Sequence, residues 1–136
     1  MTAPIVSNLV LSHGEGSTTA DESTAFVQII TFPKSHTWIW IGDQSGAQQN
    51  LSIAMGPHSS KDSGKTISSY ILNPANPDEL SVHGKGLAER ISKKLSGQPV
   101  YLSCTINTNA ANNQFLDHLE KQIIRLIKTD PHIFGM

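Results

Sequence analysis

The chain is poor in charge and nearly devoid of sulfur chemistry. One cysteine, Cys104, occurs among 136 residues. That excludes an internal disulfide framework and any cysteine zinc cluster, and a reducing compartment is the natural setting. Charged residues make up 15% of the chain, against about 25% in an average soluble domain. Ten basic residues stand against eleven acidic ones, a formal charge of −1, so no basic excess is on offer to nucleic acid or anionic lipid. Long apolar runs are missing as well. None approaches the ~20 residues a membrane span needs, and no basic segment followed by an apolar stretch resembles a secretory signal. The expectation is a cytoplasmic and nuclear protein with no nucleic-acid and no membrane partner.

Catalytic and cofactor motifs are equally scarce. The run Ser59-Ser60-Lys61-Asp62-Ser63-Gly64-Lys65-Thr66 ends like a phosphate-binding loop. It has Ser59 where the first glycine belongs, and it opens the β-type run Ile67-Ser68-Ser69-Tyr70-Ile71 instead of a helix. Gly84-Lys85-Gly86 reads as a flexible helix entry more readily than as an anion site. The histidines at 13, 36, 58, 83, 118 and 132 form no pair with metal-ligand spacing. Cys104 lies inside an apolar strand and reads as a small buried hydrophobe. Asp117 and Glu120 fall on the polar side of a helix, a solvated face and not an acid–base pair. No enzyme activity, cofactor or metal is expected.

What the chain does have is a strand-rich first half followed by helices. Its length suits one domain, 1–136. Strands are predicted at 5–11, 25–32, 37–41, 51–55 and 66–72 from β-branched and aromatic runs between turn residues. Polar, glycine-containing stretches near 12–24 and 56–66 read as flexible loops. A helix is predicted from near Gly86 to Ser96-Gly97, with Leu87, Ala88, Ile91 and Leu95 as its buried stripe. A strand at 99–106 follows. The last helix, capped by Asn112 or Asn113, carries the stripe Phe115, Leu116, Leu119, Ile123, Leu126 and Ile127 and runs to about Thr129. The order βββββαβα predicts an α+β fold: an antiparallel β-sheet or small sandwich of about six strands with two α-helices.

The central strands are apolar on both sides. Alternation puts Phe26, Ile30 and Phe32 on one face of the second strand, with Val27 and Ile29 on the other. In the third, Trp38 and Trp40 oppose Ile39 and Ile41. A sheet with one wet face shows apolar residues alternating with polar ones; these strands do not. Two helices can cover one face. Either the sheet curls into a sandwich that buries the other, or a second subunit covers it, because two exposed tryptophans approach the largest apolar patch a monomer usually shows. Phe26, Ile30, Trp38 and Trp40 are the candidate partner-binding residues, and a dimer is the sharper reading. Periodicity does not say which tryptophan or isoleucine face is outward.

Several segments in order carry a resemblance. They are Trp38-Ile39-Trp40-Ile41-Gly42, Asn50-Leu51-Ser52-Ile53-Ala54-Met55, Gly86-Leu87-Ala88-Glu89-Arg90-Ile91 with Lys93-Lys94, and Gln98-Pro99-Val100-Tyr101-Leu102-Ser103. A polar loop and amphipathic helix over 107–128 close the series. Together they resemble the proteasome assembly chaperone 4 family over roughly 25–128. The chain departs from that pattern in its loop at 12–24 and its polar insertion around 57–66. Its tail, His132-Ile133-Phe134-Gly135-Met136, lacks the hydrophobic-Tyr-x ending of some proteasome partners. The resemblance implies a non-catalytic chaperone. Such a protein would heterodimerise with an assembly chaperone 3-like subunit and help order proteasome α subunits into the ring of the 20S particle. The alternative is a homodimeric scaffold or adaptor of the same fold serving another complex.

Overall fold

A computed structural model of the chain describes residues 3–13, 23–42, 51–56, 66–72, 79–105 and 113–135. The elements are β1 (Ile5–His13), β2 (Ser23–Phe32), β3 (His36–Gly42), β4 (Leu51–Met55), β5 (Ile67–Leu72), α1 (Glu79–Lys94), β6 (Val100–Thr105) and α2 (Asn113–Thr129), with a closing 3-10 turn, Pro131–Phe134. This is the expected βββββαβα order. All six strands join one open sheet in the order β1-β2-β3-β6-β4-β5. After the α1 crossover, β6 enters between β3 and β4. It runs parallel to β3 and antiparallel to β4, which makes the sheet mixed.

The hairpin of β1 and β2 is longer than its side chains suggest. Pairing continues through Ser12↔Thr24 and His13↔Ser23, into the stretch expected as loop. Ladder bonds join backbone groups and do not require apolar side chains. Residues 14–22 of that loop, 57–65 of the second, and the prolines at 74 and 77 lie outside the described residues. Between β2 and β3 the turn is built by Pro33 and by Lys34 at φ +62°. The Ser35 N–H donates to the Phe32 carbonyl at 2.9 Å, as in a type II turn.

Helix α1 begins at Glu79, well before the expected start near Gly86. Gly84 and Gly86 thus lie within the helix, and no helix entry forms there. Each interior glycine costs a helix only about 1 kcal/mol against alanine, which tertiary packing overrides. The packing is the predicted stripe: Leu87, Ala88, Ile91 and Leu95 are all buried. At the other end, Gly97 takes φ +83° and its N–H donates to the Ser92 carbonyl at 2.8 Å, the expected glycine stop. Gly97 also meets Gly56, whose N–H donates to the Gly97 carbonyl at 2.9 Å. A Cβ on Gly56 would lie 2.5 Å from the Gly97 Cα.

The core lies between one sheet face and the helices. Val27 and Ile29 of β2, Ile39 and Ile41 of β3, Val100, Leu102 and Cys104 of β6, and Ala54 of β4 face α1 and α2. Leu119, Ile123 and Ile127 complete it from α2. Arg90 of α1 bridges to Glu120 of α2 at 2.6 Å, so Glu120 ties the helices together. Asp117 pairs with Lys121 one turn on.

The tail completes the cover. Phe134 is fully buried, and Thr31 donates its hydroxyl to the Ile133 carbonyl at 2.7 Å. Thr37 Oγ1 stands 3.4 Å from Thr31 Oγ1, so both buried hydroxyls are satisfied. Gly135, at φ +74°, closes the turn against Thr31 and Pro33. Sequence reading misses this third layer, because an Ile-Phe pair after a proline carries no helical period.

Candidate functional site: the open sheet face

Strand register fixes what occupies the side away from the helices. Val6, Asn8 and Val10 of β1 stand beside Ile30, Gln28 and Phe26 of β2. These in turn stand beside Trp38, Trp40 and Gly42 of β3. Trp38 and Trp40 pair with Tyr101 and Ser103 of β6. Ile53 pairs with Tyr101 and with Ser69 of β5, while Met55 pairs with Ile67. No helix packs on this side among the described residues. The exposed large hydrophobics of the described residues all belong to it: Val6 at 53%, Val10 at 63%, Phe32 at 37%, Ile67 at 64% and Ile71 at 55%. The apolar surface therefore runs from one edge strand to the other.

Aromatic rings organise its centre. Trp38 stacks on Tyr101, with centroids 4.3 Å apart and planes 8° from parallel. His36 meets the edges of both rings and stacks on Phe32 at 4.7 Å. The Ser35 hydroxyl lies 2.7 Å from the His36 Nδ1. Trp40 folds over Gly42, where a Cβ would lie 2.1 Å from the indole Cζ2. Aromatic pairs of this kind contribute about 0.5–1.5 kcal/mol each beyond area burial, enough to hold the rings in place.

Between the rings is a hollow of about 660 Å³, lined by Gln28, Ile30, Trp38, Trp40, Leu51 and Ser103 among others. The Ser103 side chain is 2% exposed and its hydroxyl has no hydrogen-bond partner among the described residues. Two other buried serines of the chain differ. Ser52 donates to the Leu102 carbonyl at 3.2 Å and Ser92 to the Gln98 carbonyl at 2.8 Å. An unmatched buried hydroxyl costs about 1–3 kcal/mol, so among the described residues of this face Ser103 carries a polar debt.

The residues singled out from sequence, Phe26, Ile30, Trp38 and Trp40, all lie on this face, each partly buried. Ile39 and Ile41 go to the core. Gln28 marks the difference in the sequence: it shares a face with Phe26 and Ile30, while the opposite face has only Val27, Ile29 and the small Thr31. Val6, Val10, Ile67 and Ile71 were not singled out, because an edge strand's exposure depends on pairing order.

Elsewhere the chemistry is quiet. Burial pushes the Cys104 thiol up to about 12, which leaves it protonated and unreactive at neutral pH. Burial also raises the Tyr70 hydroxyl. Ser68 donates to Glu89, tying β5 to α1. The phosphate-loop-like run precedes β5, a strand, and most of it lies outside the described residues. No cluster of histidine, cysteine and carboxylates suited to a metal occurs among the described residues, and no helix among them is long and apolar enough to cross a membrane.

A six-stranded sheet backed by helices on one side and apolar on the other defines the class, a small α+β protein with a broad open face. Residues 24–106 match the family described as proteasome assembly chaperone 4. The chain belongs to that family. No curated protein matches it. Among solved structures, a chain of a chaperone complex for yeast 20S proteasome assembly is similar, with TM-score 0.61 and 14% identity over 92% of this chain and 97% of that one. At that identity the likeness is one of fold.

Proposed function

We propose that this protein is a non-catalytic chaperone that pairs through its open sheet face with an assembly chaperone 3-like subunit, and that the pair promotes α-ring assembly of the 20S proteasome. The observation that carries the pairing is the continuous apolar face, uncovered by any helix among the described residues. Family membership supplies the task. A low charge density suits a reversible, moderately sized contact, with few charges to repel the partner. The site of action is the cytoplasm and nucleus, which a fluorescent fusion checks.

Sedimentation of the chain alone, with an assembly chaperone 3-like protein, and with proteasome α subunits tests the reading. The expected result is a one-to-one heterodimer that retains α subunits. Val10→Lys and Ile67→Lys, at positions 63% and 64% exposed, leave the melting temperature unchanged and weaken the heterodimer at least tenfold. A stable monomer that ignores both proteins sinks the proposal. A tight homodimer that ignores them favours the scaffold alternative.

A further inference from the structure

We infer that the hollow around Ser103 receives a short stretch of the partner subunit, one of whose side chains, with an apolar stem and a neutral hydrogen-bonding tip such as tyrosine, glutamine or asparagine, reaches the Ser103 hydroxyl. Ser103 thereby helps choose the partner. The inference rests on the proposed sheet-face pairing and names the contact that makes it selective.

Three observations converge on it. The walls, Ile30, Trp38, Trp40 and Leu51, are apolar and suit a hydrophobic stem. Among the described residues the polar lining groups are Gln28, Ser103 and His36, with no carboxylate, lysine or arginine. A charged tip entering such a site would lose its hydration without gaining a counter-charge. The floor holds a hydroxyl that is buried and unmatched. A hydroxyl open to bulk solvent needs no explanation; this one is shielded from bulk water, so its partner must be an ordered water or an inserted group, and an inserted group with a polar tip can take the water's place.

The walls also say how the group enters. Trp40 is wedged against Gly42 and Trp38 is held by its stack on Tyr101. Leu51 is the first residue of β4, and the register between β4 and β5 shifts between Leu51 and Ser52. It is the wall with freedom to give. The other half of the requirement is discrimination. A partner lacking the polar tip leaves the Ser103 hydroxyl sealed and unmatched, and sites of that kind reject the wrong occupant most strongly.

Ser103→Ala separates the socket from the face. Removing an unmatched hydroxyl leaves the melting temperature of the isolated chain unchanged or raised, while affinity for the assembly chaperone 3-like protein falls about tenfold. A merely structural serine would shift the two together. Unchanged or tighter binding by Ser103→Ala, with Val10→Lys still disrupting the complex, overturns the socket and leaves face pairing intact. If the unaltered chain fails to bind, or binds with no hydrogen-exchange protection on the open face, the pairing itself is wrong and the socket falls with it. Self-association that protects Ser103 in the absence of the partner, or a small molecule found by mass spectrometry in the purified chain and lost in Ser103→Ala, also overturns it.

Discussion

The indole of Trp40 occupies the space that a side chain at Gly42 would need, with Cζ2 2.1 Å and Cε2 2.7 Å from a Cβ built there. Gly42 has no positive φ, so the requirement is steric and comes from the open face. Gly42→Ala forces the ring outward. The expected loss is roughly 1–3 kcal/mol in urea denaturation, with a red shift in tryptophan emission. Trp40→Leu in the Gly42→Ala background recovers part of it.

Gly56 and Gly97 meet backbone to backbone, so the second glycine contact cannot be relieved by a rotamer change. Gly56→Ala would place its Cβ 2.5 Å from the Gly97 Cα and strain the 2.9 Å hydrogen bond between them. A loss of about 3 kcal/mol or more is expected, because backbone, unlike the Trp40 ring, cannot swing away, and calorimetry of the two variants side by side checks that Gly56→Ala loses more than Gly42→Ala.

Cys104 gives a pH signature. Its thiol is pushed up to about 12 by burial, from an ordinary value of 9.0. The folded state therefore holds its proton more tightly than the unfolded chain. Its contribution is fully present below pH 9 and is lost as pH rises from 9 towards 12. Cys104→Val is expected to flatten that part of the stability curve. At pH 8 a thiol reagent should modify the native chain only as fast as it unfolds.

The buried tail predicts that the C-terminus is structural. Phe134→Ala should cost about 3–5 kcal/mol, and Thr31→Val, which removes the 2.7 Å bond to the Ile133 carbonyl, about 1–3 kcal/mol. Both follow from denaturant titration. Neither should change partner affinity once folding is allowed for, because the tail lies on the helix side.

Much of this was legible in the sequence, for reasons that can be stated residue by residue. Strand periods, the stripe Leu87-Ala88-Ile91-Leu95 and the stop at Gly97 are local signals, and each is found. The outward tryptophans were legible in principle, through Gln28 beside Phe26 and Ile30. What was not legible depends on the order of strands. Val6 and Ile67 are exposed on the open face because β1 and β5 became edges, and no local pattern contains that. Ser103 reads as an ordinary strand serine until Trp40 and Leu51 close around it. The early start of α1 was hidden by Gly84 and Gly86, whose weak propensity is outvoted by packing.

The insertion of β6 between β3 and β4 has a consequence for how the molecule is made. Thr37 pairs with Val100 and Gly42 with Thr105, a closure over about sixty residues, and pairings this distant slow folding. During synthesis the hairpin of β2 and β3 emerges with neither of its faces covered, and it stays so until α1, β6 and α2 have left the ribosome. The nascent chain thus passes through an interval in which it is itself a client for protection from aggregation. Early capture of the tryptophan side by the proposed assembly chaperone 3-like subunit would shorten that interval, so co-expression with it should raise the soluble yield of this chain.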